Sequence, residues 1–141
     1  MEVLLQTALR EDALTTTADG FELRIGLPWI RSMPLSSVSG LAVEVDGVPV
    51  GPEDLAVRLG LRDMAVEALR QESGWWFVQD RLMVTGGRRL APGPHAVSVD
   101  FQLLVPYLQA RPGSPLILPF HLEAQLEPGW AAVSDVARDV A

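Results

Sequence analysis

The stretch that decides the fold is FELRIGLPWIRSMPLSSVSGLAVEVDGVPV, residues 21–50. From Phe21 to Leu27 apolar and polar side chains alternate, which is the period of a half-buried β-strand. A second alternating run, 41–45, ends at Asp46-Gly47, the two-residue loop of a tight hairpin. We therefore predict that two valine pairs share one face of this hairpin: Val45 with Val48, and Val43 with Val50.

The rest of the chain continues this pattern. Further apolar runs lie at 57–61, 75–78, 81–84, 97–105 and 116–126, with turn residues between them. We predict a connecting loop over 9–20 and a hairpin in which Gln79-Asp80 joins 75–78 to 81–84. About eight short strands without a long amphipathic helix indicate an antiparallel β-sandwich or barrel, and we predict the all-β sandwich.

The length predicts one domain, with a core large enough to fold without disulfides. We assign the β-sandwich domain to residues 1–126 and a C-terminal tail to residues 127–141. In the tail Val133, Val136 and Val140 have helical spacing, so we expect either a short C-terminal helix or no fixed structure there.

Composition excludes several functions. The chain of 141 residues has a net charge of −7, which argues against a nucleic-acid surface. It has no cysteine, so thiolate chemistry and cysteine metal sites are excluded. No apolar run approaches the roughly 20 residues of a membrane helix, and no secretory signal is visible. We expect no membrane association and a cytoplasmic location.

The segment PWIRSMPL, 28–35, has a proline near each end and a cationic, aromatic centre. Its prolines restrict the backbone, and Trp, Arg and Met are enriched at the centres of interfaces. We predict that this segment contacts a partner through five residues: Trp29, Ile30, Arg31, Met33 and Pro34. The alternative is a crossover between two sheets, with Trp29 closing the end of the sandwich.

Two further groups are candidate sites. His121 and Glu123 lie two residues apart on one strand and share a face, so they are candidate metal ligands, although a third ligand is missing. Asp100 and Glu123 are also candidates for a carboxylate pair on adjacent strands, but a solvated polar face explains all three residues without a site. Trp75 and Trp76 are candidate platforms for a flat ligand, and their alternation places one of them in the core.

The order of the motifs resembles the small, or beta, subunit of bacterial C-glycoside deglycosidases. The residues that carry the resemblance are Phe21, Leu27, Pro28, Trp29, Arg31, Pro34, Leu35, Ser36, Val43, Val45, Asp46 and Gly47. It continues through Gly60, Trp76, the 90–95 turn and the 97–107 strand, and it covers roughly residues 3–126. The chain departs from the family at Trp29-Ile30, often a tyrosine pair, and in the tail after Glu127.

This resemblance implies a two-component, heteromeric lyase. Its larger alpha subunit would be a TIM barrel that holds a divalent metal of the Mn or Mg type and supplies the acid–base residues. The substrates would be 3-oxo-C-glycosides of polyphenols, whose C–C glycosidic bond is cleaved. The present chain would be a non-catalytic subunit without a cofactor that stabilises the barrel, with Trp75 and Trp76 at the pocket rim.

Two other functions remain open from the sequence. One is a free-standing carbohydrate- or polyphenol-binding module that uses Trp75 or Trp76. The other is a small metalloenzyme built on His121 and Glu123.

Overall fold

The computed structural model describes residues 8–129 and 138–139, which form two β-sheets and a short two-stranded ribbon. The strands are β1 (Leu14–Thr16), β2 (Phe21–Gly26), β3 (Met33–Pro34), β4 (Val38–Val45), β5 (Val48–Pro49), β6 (Leu55–Leu59), β7 (Arg62–Ala65), β8 (Trp75–Trp76), β9 (Asp80–Gly86), β10 (His95–Arg111), β11 (Ser114–Leu126) and β12 (Arg138–Asp139). Short 3₁₀-helices span Leu35–Ser37, Pro52–Asp54 and Val66–Gln71.

The first sheet has the strand order β1-β2-β9-β6-β7, and β12 pairs with β9 as well. The second sheet has the order β11-β10-β4-β5, and β3 pairs with β8 in the ribbon. Among the described strands all pairs are antiparallel except β12 with β9. The all-β prediction is therefore confirmed.

The core lies between the two sheets. Leu23 and Ile25 of the first sheet and Val43, Val99 and Leu103 of the second are buried in one hydrophobic cluster. Alternation explains this arrangement, because every second side chain of a strand points to the same face. The alternating residues of 97–105 and 116–126 face this core, as the sequence predicted.

The predicted Asp46-Gly47 hairpin is confirmed. Asp46 and Gly47 have φ values of 54° and 78°, the left-handed conformations that a two-residue turn of this type requires. Val45 pairs with Val48, and the Val50 amide donates to the Val43 carbonyl at 2.9 Å. Val43, Val45 and Val50 are buried, whereas Val48 is 55% exposed, because β5 is a two-residue edge strand.

Two local predictions are also wrong. The 9–20 segment is not only a loop, because it contains β1, which pairs with β2 along the sheet edge. The 75–78 and 81–84 runs do not pair with each other. Strand β9 is paired with β2 on one side and β6 on the other, so β8 has no free edge of β9 to join and pairs with β3 instead.

The predicted tail falls mostly outside the described residues. Of the expected C-terminal helix only Arg138–Asp139 is described, and these two residues form β12 rather than a helix. Before it, Gly129 bridges to Thr15, and its amide donates to the Leu14 carbonyl at 3.3 Å. The described parts of the tail thus contact the first sheet. Of the residues described, no helix is long and apolar enough to cross a membrane.

Candidate partner-binding surface

The proline-bounded segment connects the end of β2 to the ribbon of β3 and β8. Within the ribbon Met33 pairs with Trp76 and Pro34 pairs with Trp75. Because neighbouring strand residues point to opposite faces, Met33 and Trp76 enter the core and are fully buried. Their predicted roles in partner contact and at a pocket rim are therefore corrected: both are core residues. Trp75 remains on the surface with 47% of its area exposed.

The buried Trp76 has a clear structural role. Its Nε1 donates a hydrogen bond of 3.1 Å to the carbonyl of Asp80, at the start of β9. Its ring lies 5.8 Å from that of Phe101 on β10. The indole thus joins the ribbon to both sheets.

Trp29 fills the end of the sandwich and supports the surface at the same time. Its ring is half-buried and meets Phe120 edge-on, with centroids 6.4 Å apart and planes at 72°. Phe120 in turn stacks on Phe101 at 5.5 Å. The indole Nε1 of Trp29 donates a hydrogen bond of 2.7 Å to the hydroxyl of Tyr107. Trp29 therefore closes the end of the sandwich, as one of its two interpretations predicted, while its contact with a partner stays a prediction.

Tyr107 reaches this position because β10 bulges. Val105 pairs with Leu116, but the next pair is Gln109 with Pro115, so four steps along β10 match one step along β11. Such an insertion bends the strand and redirects side chains at its end. Tyr107 and Leu108 are consequently exposed beside the 28–35 segment. The sequence contained a signal for this feature, since Pro106 interrupts an otherwise regular strand.

The loop after β8 completes the surface. The Val78 amide donates a hydrogen bond of 3.0 Å to Oγ of Ser32, which fixes this loop against the 28–35 segment. Ile30 is 69% exposed, and Phe77 and Val78 are about half exposed. We call this region the knot surface and define it by Ile30, Arg31, Phe77, Val78, Tyr107 and Leu108. Exposed apolar side chains on neighbouring segments are typical of an interaction site.

The His121 cluster is assembled differently from the prediction. Asp100 lies opposite His121 in the register, so the imidazole separates Asp100 from Glu123 instead of leaving a direct carboxylate pair. Nδ1 of His121 is 2.6 Å from Asp100 and Nε2 is 2.6 Å from Glu123. The hydrogen bond to Glu123 and, after it, the hydrogen bond to Asp100 raise the pKa of His121. Within the described part of the chain no three His, Asp or Glu residues are grouped to hold a metal ion.

His95 lies at the other end of the second sheet and is buried, with 8% of its area exposed. Its Nε2 is 2.7 Å from the Ala91 carbonyl and its Nδ1 is 2.6 Å from Asp46. The hydrogen bond to Ala91 and then that to Asp46 raise the pKa of His95. The other Asp46 oxygen accepts a 2.9 Å hydrogen bond from the Ala96 amide. Sequence reasoning assigned no role to this histidine, which holds the Asp46-Gly47 turn.

A polar groove of about 720 Å³ also lies near this end, between the edge of the first sheet and the loop before β10. Its lining includes Thr15, Glu22, Arg24 and Arg89. Glu22 lies 3.6 Å from Arg24 and 2.9 Å from Arg58, so the carboxylate of the groove is already engaged by arginines. Neither His95 nor His121 lines this groove.

The described residues thus define an all-β domain whose exposed apolar surface resembles an interface and whose histidines are both engaged by carboxylates. A family model described as C-glycoside deglycosidase beta subunit matches residues 2–107. The chain belongs to this family, and the resemblance inferred from its motifs is confirmed.

Two curated relatives support this assignment. The chain is 35% identical over 108 residues to the 3'-dehydrocarminate deglycosidase beta subunit of a Microbacterium species, covering 75% of this chain and 81% of the relative. It is 32% identical over 102 residues to the C-glycoside deglycosidase beta subunit of Arthrobacter globiformis, covering 70% of this chain and 78% of the relative. Their names imply a partner subunit for proteins of this family.

Proposed function

We propose that this chain is the non-catalytic small subunit of a heteromeric C-glycoside deglycosidase and that the knot surface binds the larger alpha subunit. The observation that carries the proposal is the group of exposed apolar side chains that three separate segments of the chain form. The chain also belongs to a family whose members are named beta subunits. The alpha subunit would be a TIM barrel with a divalent metal of the Mn or Mg type. That metal would supply Lewis-acid chemistry on the partner chain.

The reaction proposed for the complex is cleavage of a 3-oxo-C-glycoside of a polyphenol. The ketone at C3 acidifies the proton at C2, which a base on the alpha subunit removes. The electron pair left at C2 forms a double bond to C1. The C–C bond to the aglycone then breaks, and the aglycone carbon takes its bonding pair and is protonated. The role of the present chain is to stabilise the barrel and, through Trp75, to shape the rim of its pocket.

The geometry of the knot surface suits this role. Its backbone is held by the β3–β8 ribbon and by the hydrogen bonds from Trp29 to Tyr107 and from Val78 to Ser32. A surface that is already ordered loses little conformational entropy when a partner binds. Covering a side chain such as Ile30 adds about 1–2 kcal/mol of hydrophobic stabilisation, because most of its area is still exposed.

Ile30→Glu tests the proposal in the chain co-expressed with its barrel partner. A carboxylate at the centre of an apolar interface is expected to cost about 2 kcal/mol or more, roughly a 30-fold rise in the Kd of the complex. Binding is measured by titration calorimetry. Deglycosidase activity is then measured at a subunit concentration near the wild-type Kd, where a rise in Kd lowers the fraction of complex and therefore the activity. The free subunit should unfold at the wild-type temperature, since Ile30 is 69% exposed.

Val48→Glu is the matched control. Val48 is also exposed, but it pairs with Val45, which lies beside Val97 near the start of β10. Tyr107 lies ten residues further along this strand, about 33 Å away in an extended chain. We expect Val48→Glu to bind the alpha subunit like wild type. Equal Kd values for Ile30→Glu and wild type would show that the knot surface is not the interface.

A ligand-binding experiment on the isolated chain distinguishes a partner-dependent subunit from a free-standing binding module. Such a module would bind a polyphenol C-glycoside through Trp75 without the alpha subunit, and ligand would quench the tryptophan fluorescence of the isolated chain. Under the present proposal the isolated chain shows no saturable quenching. Tight binding by the isolated chain that is lost in Trp75→Ala would favour the module instead.

A further inference from the structure

Arg31 is the charged residue of the knot surface, and its position is set from the core outwards. Its guanidinium carbon lies 5.2 Å from the centre of the Tyr107 ring, within the range of a cation–π interaction. The Tyr107 hydroxyl accepts the hydrogen bond from Trp29, and Trp29 packs against the buried Phe120. The guanidinium is therefore connected to the core through the aromatic side chains of Tyr107, Trp29 and Phe120.

The arginine has no carboxylate partner within the described part of the chain. Arg24, Arg58, Arg62 and Arg81 each lie within 4.0 Å of an acidic side chain, whereas Arg31 is in no ion pair. The contact with Tyr107 uses none of its N–H groups as hydrogen-bond donors, and among the described residues none of them makes a hydrogen bond or ion pair. Those donors have the fork geometry that matches a carboxylate.

Covering the knot surface would remove Arg31 from water. Ile30 precedes it, and Ser32, which follows it, is bonded to the loop of Phe77 and Val78. A partner that buries these apolar side chains must also bury the guanidinium beside them. A charge that is desolvated without a counter-charge costs several kcal/mol, more than one such apolar contact contributes. A stable interface here therefore needs an anion opposite Arg31.

We propose that a carboxylate side chain of the alpha subunit binds Arg31 edge-on at the centre of the interface, while Tyr107 holds the guanidinium from below. This inference rests on the proposed function, because it concerns the same surface. It defines the chemistry of the partner surface, which would be an apolar patch with one aspartate or glutamate opposite Arg31. This single acidic residue would pair with the arginine although the present chain has a net charge of −7.

The test compares Arg31→Met, which keeps the length and apolar stem of the side chain, with wild type in the complex with the alpha subunit. We expect the Kd to rise about 30-fold or more, as for other buried charge pairs that lose one member. Arg31→Lys, which keeps the charge but loses the fork, should fall between Arg31→Met and wild type. Arg89→Met is the control, since it removes an exposed arginine near the opposite end of the sandwich.

The outcomes separate the two proposals. If Arg31→Met binds like wild type while Ile30→Glu does not, the knot surface is the interface but no carboxylate faces Arg31. If both variants bind like wild type, the proposed function of this surface fails as well. If Arg31→Met leaves the Kd of the subunits unchanged but raises KM, Arg31 meets the substrate, and the pairing with the alpha subunit is overturned. An equal loss in Arg89→Met would show a general charge effect and overturn it too.

Discussion

Replacing His95 by leucine tests how the Asp46-Gly47 turn is held. The imidazole places one ring nitrogen against the Ala91 carbonyl and the other against the Asp46 carboxylate. Both partners are acceptors, and only the protonated ring donates to both at once. His95→Leu keeps an apolar side chain in the buried position but removes both hydrogen bonds.

The effect of this change depends on pH, and its sign follows from the pKa of each group. The pKa of His95 is raised above 6.5, so its contribution is fully present below pH 6.5 and is lost as the pH rises through the folded value. The pKa of Asp46 is lowered below 3.8, chiefly by the hydrogen bond from His95. Its contribution is present above pH 3.8 and is lost as the pH falls through the folded value. The pair therefore stabilises the chain most between these limits.

The expected magnitude follows from the hydrogen bonds that are lost. At about pH 5.5, loss of the charged His95 donors should lower the free energy of unfolding by about 1–2 kcal/mol. For a chain of this length that corresponds to a fall in Tm of roughly 3–6 °C. Above the folded pKa of His95 the difference from wild type should be clearly smaller, because the deprotonated ring donates only once.

Urea unfolding followed by circular dichroism at several pH values between about 5 and 9 measures this difference. The chain has two histidines, so His121→Gln is the natural control. His121 is half exposed, and its carboxylate contacts should contribute little to stability. A His95→Leu variant that keeps the full pH dependence of wild type, or a pH dependence that disappears in His121→Gln, would refute this account.

Two further predictions concern the ribbon and the sheet edge. Trp76→Phe should lower the free energy of unfolding by about 2–4 kcal/mol, because it opens a cavity and removes the donor to the Asp80 carbonyl. In the same urea titration Trp75→Phe should change this free energy by less than about 0.5 kcal/mol, because Trp75 lies on the surface. Equal effects would contradict the opposite orientations of the two rings. Pro119→Thr should increase self-association in sedimentation velocity, because Pro119 lies on the edge strand β11 and the substitution adds an N–H that faces away from β10. An unchanged sedimentation profile would show that this proline does not protect the edge.

The two ends of the sandwich have different properties in this structure. One end carries the knot surface, where aromatic residues connect the exposed side chains to the core. The other carries the Asp46-Gly47 turn, which His95 ties to the loop before β10. Substitutions at the turn are therefore expected to change stability, and substitutions at the knot surface to change association. This separation is what makes Val48→Glu a suitable control for Ile30→Glu.

Much of the fold followed from the sequence, because strand alternation and turn chemistry are local. The Asp46-Gly47 hairpin and the long 97–105 strand needed only the period of two and one two-residue turn. The strand β1 was missed, since three residues are too few to show a period. The 75–84 hairpin was predicted wrongly, because its sequence is compatible with pairing but both edges of β9 are occupied by other strands.

The candidate site shows the same division. The sequence by itself determined that residues 28–35 form a restrained, aromatic segment, because proline geometry and side-chain chemistry are properties of the residues themselves. It also determined the family, which depends on the order of motifs. Only the tertiary structure decided that Met33 and Trp76 are buried and that Tyr107, almost 80 residues from Trp29, lies under Arg31. These facts depend on which strands are neighbours and on a bulge in β10, and both result from the packing of distant segments against one core.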